Sequence, residues 1–338
     1  MDHEPKTSTV ALDPIDQALV DGVLDRRPRA LAKAITLVES TRADHARRAS
    51  GVLDALLPHT GRSIRLGISG SPGAGKSTFI EALGLELIRQ GRRVAVLAVD
   101  PSSTISGGSI LGDKTRMERL SVSPDAFIRP SPSRGSLGGV GDKTREAMLI
   151  CEASGFDVVI VETVGVGQSE TTVAGMVDAF VLIQLPNAGD DLQAMKKGIV
   201  ELADVIVVNK ADIDPAAAEI GRRQLAGALS LLHSSSSPWK PVVVTASASK
   251  GDGIAKFWTE IERHHKLLTD TGELAEKRRR QAVEWMWSLI DAGLRSRFRS
   301  NPRVRRDLDA LSRSVAQGET TPSAAAYRLL DHVESANL

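Results

Sequence analysis

Short, continuous apolar runs alternate with longer helical segments along the middle of the chain. From Ser63 onward the runs are "SIRLGISG", "RRVAVLAVD", "FDVVIVET", "AFVLIQLP", "DVIVVNK" and "PVVVTAS". Runs of this kind, rich in β-branched residues and without polar alternation, are typical of strands that are buried on both faces of a sheet. Because helical stretches separate them, the pattern predicts an α/β fold with a mainly parallel sheet flanked by helices.

Both ends of the chain have helical patterns. The segment "PRALAKAITLVES", residues 28–40, begins with a proline suited to the first helical position and repeats apolar residues at three- and four-residue steps. After about Ile261 no strand candidate remains, and the sequence is helical and charged. We therefore predict a helical N-terminal extension over residues 1–60, a central α/β domain over 61–266 and a helical C-terminal arm over 267–338.

Composition narrows the class of protein. Hydrophobic residues make up 41% of the 338 positions but aromatic residues only 3%, so the core must be largely aliphatic. A net charge of +1 gives no general attraction to nucleic acid or to an anionic membrane. The single cysteine, Cys151, excludes an internal disulfide framework. No apolar run approaches the roughly 20 residues of a membrane span, and the polar N-terminus is unlike a signal peptide, so we expect a cytoplasmic protein.

The strongest chemical signal is "GSPGAGKS", which matches G-x-x-x-x-G-K-S between a predicted strand and the helical stretch "TFIEALGLELIRQG". In such a loop the glycines let backbone N–H groups surround phosphate oxygens. We expect Lys76 to reach the β- and γ-phosphates and Ser77 to coordinate Mg²⁺. The predicted phosphate-binding residues are Gly70, Ser71, Pro72, Gly73, Ala74, Gly75, Lys76, Ser77 and Thr78.

A second motif indicates which base the nucleotide carries. In "VIVVNKAD" the residues Asn209, Lys210 and Asp212 match N-K-x-D at the end of a predicted strand. A carboxylate at Asp212 can accept hydrogen bonds from guanine N1 and N2, which adenine lacks as donors, so the motif favours GTP and GDP. The later segment "TASASKGDGI" either closes over the guanine or is an ordinary strand-to-helix loop; its candidate residues are Ser247, Ala248 and Ser249.

The residues that sense the γ-phosphate should lie between these motifs. Asp100 ends a predicted strand, and Asp113 follows in a Ser- and Gly-rich loop, so both are candidates for contact with Mg²⁺, although Asp113 is equally suited to be only a helix cap. In "VETVGVGQSE" a glutamate, Glu162, stands where most GTP-hydrolysing proteins have aspartate, and the N–H of Gly165 is a candidate donor to the γ-phosphate. The predicted catalytic residues are Lys76, Asp100, Glu162 and Gly165, and the predicted metal ligands are Ser77, Asp100, Asp113 and Glu162.

No glutamine directly follows Gly165. Gln168 comes three residues later, so its spacing does not give it the water-positioning role of a Ras-type glutamine. We expect slow intrinsic hydrolysis that a partner accelerates. Farther along, the adjacent His264 and His265 point to different faces of a helix, which is wrong for a two-ligand metal site, and we expect both on the solvated surface.

Together these motifs resemble one family, the methylmalonyl-CoA mutase-associated GTPases of the MeaB/ArgK type, which includes the human methylmalonic aciduria type A protein. The resemblance covers nearly the whole chain. It rests on "ALAKAITLVES", "GISGSPGAGKSTFIEALG", "VLAVDPSS", "SILGDKTRM", "RPSPSRGSLGGV", "VETVGVGQSE", "LPNAGDDLQAMKKGI" and "VVNKAD". It implies a P-loop G domain of the class shared with signal-recognition and nickel-inserting GTPases, with helical extensions, of which the C-terminal one forms a homodimer.

The resemblance also implies a function. Members of this family act as chaperones of adenosylcobalamin-dependent acyl-CoA mutases such as methylmalonyl-CoA mutase, and they couple GTP hydrolysis to loading and repair of the mutase cofactor. By the same resemblance, residues 185–198 are an additional switch that contacts the mutase, with Gln193 and Lys197 as candidates for communicating the nucleotide state. The resemblance implies bound Mg²⁺ and GTP or GDP, and no binding to nucleic acid or membranes.

Three other functions remain open at this point. A P-loop kinase or phosphotransferase acting on a protein or a small molecule is disfavoured by the guanine-selecting Asn209 and Asp212. A metal-insertion GTPase commonly carries His-rich tracts or Cys-based sites, which one cysteine and seven scattered histidines do not supply. A targeting GTPase that binds RNA or membranes is disfavoured by the near-neutral charge and by a content of only 6 methionines.

Overall fold

The computed structural model describes residues 12–40, 42–100, 117–132, 139–163, 169–186, 197–232 and 238–334. Within these ranges the structure describes only the backbone of residues 43, 99–100, 131–132, 139–142, 169, 197, 231–232 and 334. The chain divides into two compact units, Met1–Gln281 and Ala282–Leu338.

The first unit begins with a group of three helices, which are α1 (Pro14–Leu24), α2 (Pro28–Glu39) and α3 (Ala43–Leu56). Helix α2 starts at Pro28, as its sequence predicts. A buried carboxylate joins the group, since Asp16 on α1 is 2.8 Å from the guanidinium of Arg48 on α3. The apolar faces of these helices belong to the same core as one face of the sheet.

Among the described residues, seven parallel strands form one sheet in the order β3-β2-β4-β1-β5-β6-β7. They are β1 (Ile64–Gly70), β2 (Val94–Asp100), β3 (Ala126–Pro132), β4 (Val158–Thr163), β5 (Ala179–Gln184), β6 (Val205–Val208) and β7 (Val242–Thr245). Six of them coincide with the predicted apolar runs. The seventh, β3, has no such run and contains Pro130 and Pro132, which an edge strand that pairs only with β2 can accommodate.

Helices cover both faces of the sheet, and the predicted α/β fold is confirmed. The helices that follow the N-terminal group are α4 (Lys76–Arg89), α5 (Glu118–Ser121), α6 (Gly139–Ala153), α7 (Ser169–Ala174), α8 (Lys197–Glu201), α9 (Pro215–Leu232) and α10 (Ile254–Asp270). Strand residues alternate between two cores. In β4, Val159 and Val161 join the core that holds α1–α3, α6, α7 and α9, whereas Val158 and Ile160 join the core that holds α4, α5 and α10.

Aspartates close the amino-terminal edge of the sheet. An aspartate stands directly before each of the strands β4, β5 and β6, namely Asp157, Asp178 and Asp204. Each accepts a hydrogen bond from a backbone N–H in a neighbouring strand or in the residue just before it. The distances are 2.7 Å from the nitrogen of Arg93, 2.8 Å from that of Arg65 and 2.8 Å from that of Phe180. These carboxylates satisfy N–H groups that the ladder would otherwise leave without an acceptor.

Asp178 also holds the start of helix α11 (Glu273–Ser300). Arg278 donates to both carboxylate oxygens of Asp178, at 2.8 and 2.6 Å, and to the carbonyl oxygens of Gly61 and Ser63. The side chain of Asp178 is only 1% exposed, and that of Arg278 is 16% exposed. Burial opposes the positive charge of Arg278, but the hydrogen bond and the charge of Asp178 prevail and raise its pKa.

The second unit contains the remainder of α11 together with α12 (Pro302–Ala316) and α13 (Pro322–Glu334). Asn301 caps α12 by accepting the N–H groups of Arg303 and Val304 at 2.9 and 3.4 Å. Asp307 on α12 lies 2.8 Å from Nε2 of His332 on α13. Across all described residues, no helix is long and apolar enough to cross a membrane.

The expectation that both adjacent histidines are solvated is wrong for His264, which is 1% exposed. Its ring packs edge-on against Trp239, with the centroids 4.8 Å apart, and its Nε2 lies 3.6 Å from Oδ1 of Asp204. The physical reason is helical periodicity. His264 follows Ile261 by three residues on the apolar face of α10, so it continues the stripe that packs on the sheet.

We predict that Arg278→Ala lowers the free energy of unfolding by about 3 kcal/mol, because it leaves the buried Asp178 carboxylate without its cation. Urea denaturation followed by far-UV circular dichroism measures this change. Arg279→Ala is the matched control, since the neighbouring Arg279 pairs with Glu276 at the surface, where such pairs contribute at most about 1 kcal/mol. Equal shifts for the two variants would contradict the prediction.

Candidate functional site

The phosphate-binding loop connects β1, the middle strand of the sheet, to α4. Two of its glycines are required by close approach. A Cβ at Gly70 would overlap the carbonyl oxygen of Ile183, and a Cβ at Gly75, whose φ is 86°, would lie 2.7 Å from Nδ2 of Asn209. The loop therefore fits against its neighbours only without side chains at these positions, and it presents the N-terminus of a helix, where anions bind.

The side chain of Lys76 binds back to the start of this loop. Its ammonium group donates to the carbonyl oxygens of Gly70 at 2.8 Å and Ser71 at 3.2 Å, and the residue is only 9% exposed. The cation is thus fixed at the mouth of the loop by neutral acceptors. Phosphate oxygens are stronger acceptors for an ammonium group than neutral carbonyls, so this arrangement suits Lys76 to bind a nucleotide phosphate.

Ser77 and Glu162 meet beside the loop. The hydroxyl of Ser77 donates to Oε1 of Glu162 at 3.0 Å, and Glu162 is 8% exposed. Pairing of β1 with β4 sets Glu162 opposite Ile68, which brings the glutamate to the strand that leads into the loop. Neighbouring oxygen ligands of octahedral Mg²⁺ lie about 2.9 Å apart, given metal–oxygen distances of about 2.05 Å. The donor set and the spacing of these two oxygens therefore fit the ion.

Several predicted site residues lie partly or wholly outside the described residues. Asp100 ends β2, two residues beyond the Ala98 that pairs with Glu162, so its backbone lies at the same edge of the sheet, but its side chain is not described. Asp113, Gly165, Gln168 and Gln193 are outside the described ranges, and of Lys197 only its place at the start of α8 is described. Their roles stay predictions.

Asn209 links three of the predicted motifs. Its Nδ2 donates to the carbonyl oxygen of Ala74 at 2.8 Å, and its Oδ1 accepts the N–H of Ala248 at 3.1 Å. The residue is 1% exposed. The amide therefore ties the phosphate-binding loop to the segment containing residues 247–249. The next residue, Lys210, has a φ of 58°, a left-handed conformation at the turn that follows β6.

Asp212 lies beside that same segment. A hydrogen bond from the hydroxyl of Ser247 lowers the pKa of the Asp212 carboxyl, against the smaller opposing effect of burial, and the charge of Lys250 acts in the same direction as the hydrogen bond. An ionised carboxylate at this position can accept two hydrogen bonds. Ser247 itself is fixed by its N–H bond to the carbonyl oxygen of Asp252 at 2.9 Å, and its hydroxyl lies 3.2 Å from that of Ser249.

One buried contact at the site is not predicted by the sequence motifs. The hydroxyl of Thr163 donates to the hydroxyl of Ser69 at 2.8 Å, and both residues are at least 99% buried. Ser69 follows the apolar residues of "GIS" in β1, and Thr163 follows Glu162 at the polar end of "VVIVET" in β4. A polar residue at the carboxyl end of a buried strand was the available signal, but which two strands are neighbours cannot be read from the runs themselves.

A parallel sheet with the phosphate-binding loop on its middle strand, and with Ser77, Glu162, Asn209 and Asp212 at the carboxyl edge, defines the class of P-loop GTPases. The family model described as "Methylmalonyl Co-A mutase-associated GTPase MeaB" matches residues 31–303. The chain therefore belongs to the MeaB family of GTPases, as the sequence motifs indicated.

Relatives match over most of their lengths. A putative GTPase of Caulobacter vibrioides is 55% identical over 94% of this chain and 97% of its own, and GTPase ArgK of Escherichia coli is 53% identical over 76% and 78%. The mitochondrial methylmalonic aciduria type A homolog of Mus musculus is 44% identical over 98% and 83%. A crystal structure of a LAO/AO transport system kinase has a TM-score of 0.76 and 37% identity, over 96% of this chain and 99% of that one.

We predict that Asn209→Ala weakens binding of GTP and GDP alike, because it removes two buried hydrogen bonds and leaves the Ala74 carbonyl and the Ala248 N–H without them. A loss of about 2 to 3 kcal/mol corresponds to about 30- to 150-fold in affinity. Titration with fluorescent GDP and a fluorescent non-hydrolysable GTP analogue measures it.

Asp214→Ala is the control for this prediction, since Asp214 lies in the same turn but only caps α9 at the surface, by accepting the N–H of Ala217 at 2.9 Å. Its affinity for nucleotides should stay within about twofold of the wild type, less than 0.5 kcal/mol. Unchanged binding in Asn209→Ala, or an equal loss in Asn209→Ala and Asp214→Ala, would contradict the prediction.

Proposed function

We propose that this GTPase is a chaperone of an adenosylcobalamin-dependent acyl-CoA mutase, with methylmalonyl-CoA mutase as the first candidate, and that it couples GTP hydrolysis to loading, protection and reactivation of the mutase cofactor. The observation that carries the proposal is the match of residues 31–303 to a family model named for association with that mutase. The 44% identity to the methylmalonic aciduria type A homolog of Mus musculus supports the same partner.

For hydrolysis, we propose that the chain's own residues bind and orient the nucleotide. Lys76 binds the β- and γ-phosphates, and Asp212 accepts hydrogen bonds from guanine. Ser77 and Glu162, whose oxygens lie 3.0 Å apart, hold Mg²⁺, with Asp100 or Asp113 as a further ligand. Bound Mg²⁺ supplies positive charge that offsets the charge developing on the phosphate oxygens. Gly165 donates its N–H to the γ-phosphate.

The timing of hydrolysis depends on a partner in this proposal. Val166 and not a glutamine directly follows Gly165, so the residue with which Ras-type GTPases orient the attacking water has no counterpart at this position. Residues 185–198, with Gln193 and Lys197, are the proposed contact segment for the mutase. Slow hydrolysis by the isolated protein and faster hydrolysis in the complex follow from this arrangement.

We also propose a cytoplasmic homodimer, with no binding to nucleic acid or membranes, and with the C-terminal arm as the dimer contact. Large apolar side chains are exposed on the part of α11 that lies in the second unit, and soluble monomers seldom leave such a set in water. They are Val283, Met286, Trp287, Leu289, Ile290 and Leu294. The segment boundaries 1–60, 61–266 and 267–338 stay predictions.

A kinase that passes phosphate to a protein or a metabolite is the second candidate, and the name of one similar crystal structure, LAO/AO transport system kinase, is the reason to test it. The relatives named as GTPases favour hydrolysis of GTP instead. Recovery of the γ-phosphate on an acceptor molecule, instead of as inorganic phosphate, would favour the kinase.

We predict that Glu162→Gln lowers kcat for GTP hydrolysis by at least about 100-fold, or 2.7 kcal/mol, while GDP affinity changes by less than about threefold. The amide keeps the size of the carboxylate but removes the charge near Ser77. Steady-state phosphate release at saturating GTP and titration with fluorescent GDP measure the two effects. Glu276→Gln, at a glutamate whose side chain is 63% exposed, is the control and should behave as wild type. Equal losses of hydrolysis and GDP binding in Glu162→Gln would contradict the assignment.

We predict that purified methylmalonyl-CoA mutase from the same organism forms a complex with this protein and raises its GTPase rate at least about tenfold, or 1.4 kcal/mol. Light scattering of the protein alone and of the mixture gives both the oligomeric state and the complex. Lys76→Ala, which removes the ammonium group from the loop, should show no stimulation. A wild-type protein that neither binds nor responds to this or any other cobalamin-dependent mutase of its organism would overturn the proposal.

A further inference from the structure

The bond between Thr163 and Ser69 continues the connection between β1 and β4 beyond their backbone pairing. The last paired residues of these strands are Ile68 and Glu162. Thr163 and Ser69 come next on each strand, and their hydroxyls are 2.8 Å apart. The side chains therefore connect the two strands one residue beyond the last backbone pair. At this point β1 leads into the phosphate-binding loop and β4 leads into residues 164–168.

Consecutive side chains of β4 fix its end from both faces of the sheet. Glu162 belongs to the alternation of Val158 and Ile160, on the face that packs against α4, and its carboxylate meets Ser77 there. Thr163 belongs to the alternation of Val159 and Val161, on the opposite face. A rotation of the backbone that freed Thr163 from Ser69 would also move Glu162, because the two side chains share one peptide unit.

Ser69 is itself held in place. It pairs with Leu182 of β5 through the backbone, and the next residue, Gly70, pairs with Ile183 and accepts a hydrogen bond from Lys76 at 2.8 Å. Ser69 therefore belongs to a strand that is paired on both sides, with β4 and with β5. The hydroxyl bond therefore attaches the end of β4 to β1 by a side-chain contact, in addition to the backbone pairing.

We propose that Thr163 and Ser69 are positioning residues for GTP hydrolysis, whose hydrogen bond holds the Glu162 carboxylate at the Ser77 hydroxyl and thereby sets the affinity for Mg²⁺ in the nucleotide complex. The inference rests on the proposed role of Ser77 and Glu162 as Mg²⁺ ligands. Mg²⁺ requires near-octahedral geometry, so a displaced carboxylate binds it less well. A displacement of about 1 Å in a reacting site lowers rates by as much as about 100-fold.

The test compares Thr163→Val with Thr163→Ser. Valine keeps the branched shape but removes the hydroxyl, and serine keeps the hydroxyl. For Thr163→Val we expect kcat to fall about tenfold and KM for GTP to stay within about threefold of the wild-type value. The Mg²⁺ concentration at which half of the protein–fluorescent GDP complex has bound Mg²⁺ should rise about tenfold. Thr163→Ser should resemble the wild type in all three quantities.

A double-mutant cycle tests the bond itself. Ser69→Ala should reproduce Thr163→Val, and the double variant should be no worse than either single variant, because both remove one shared interaction. Arg278→Ala separates positioning from stability. It weakens the fold at the amino-terminal edge of the sheet and should leave the Mg²⁺ dependence unchanged.

The outcomes distinguish this inference from the proposed function. If Glu162→Gln leaves the Mg²⁺ concentration for half-maximal binding unchanged, the proposed metal role of Glu162 is wrong, and the inference is overturned with it. If Glu162→Gln raises that concentration but Thr163→Val does not, only the positioning role is overturned. Equal impairment in Thr163→Val and Thr163→Ser, or additive effects of the Ser69 and Thr163 substitutions, would also overturn it.

Discussion

The parallel pairing of β1 with β4 is the constraint on which the nucleotide site depends. With Ile68 opposite Glu162, the strand that leads into the phosphate-binding loop and the strand that carries the glutamate end at the same level. Because all strands are parallel, β6 delivers Asn209 to the same edge from the other side of β5. A slip of one residue in β4 would reverse the faces of Glu162 and Thr163 and would separate the carboxylate from Ser77.

The two edges of the sheet are chemically different, and the difference leaves one of them available for a ligand. At the amino-terminal edge, three aspartates accept backbone N–H groups; they are Asp157, Asp178 and Asp204. Arg278 neutralises Asp178, so these hydrogen-bonding and charged groups find their partners within the chain. At the carboxyl edge the phosphate-binding loop offers a helix N-terminus and the ammonium group of Lys76. Ligands of open parallel sheets bind outside the carboxyl ends of the strands, and a helix N-terminus at that edge attracts anions.

The sequence predicts what local pattern controls and misses what depends on spatial neighbours. Six strands and the start of α2 follow from apolar runs and a proline, but β3 does not, because its prolines are acceptable only at a sheet edge, which is a property of the whole sheet. The motif with Asn209 is recognisable in the sequence, yet its amide bonds to Ala74 and Ala248 join segments far apart in the chain. His264 shows the same limit, since its burial depends on Trp239 and Asp204.

The buried hydroxyl pair of Thr163 and Ser69 matters because the neighbouring residue is a glutamate, Glu162. A glutamate carboxylate extends about 1.5 Å farther than an aspartate carboxylate, and it has one more rotatable bond to immobilise, which costs conformational entropy. Glu162 is therefore harder to place than an aspartate at the same strand end. Here the Ser77 hydroxyl holds the carboxylate itself, while the Thr163 bond to Ser69 fixes the backbone from which it extends.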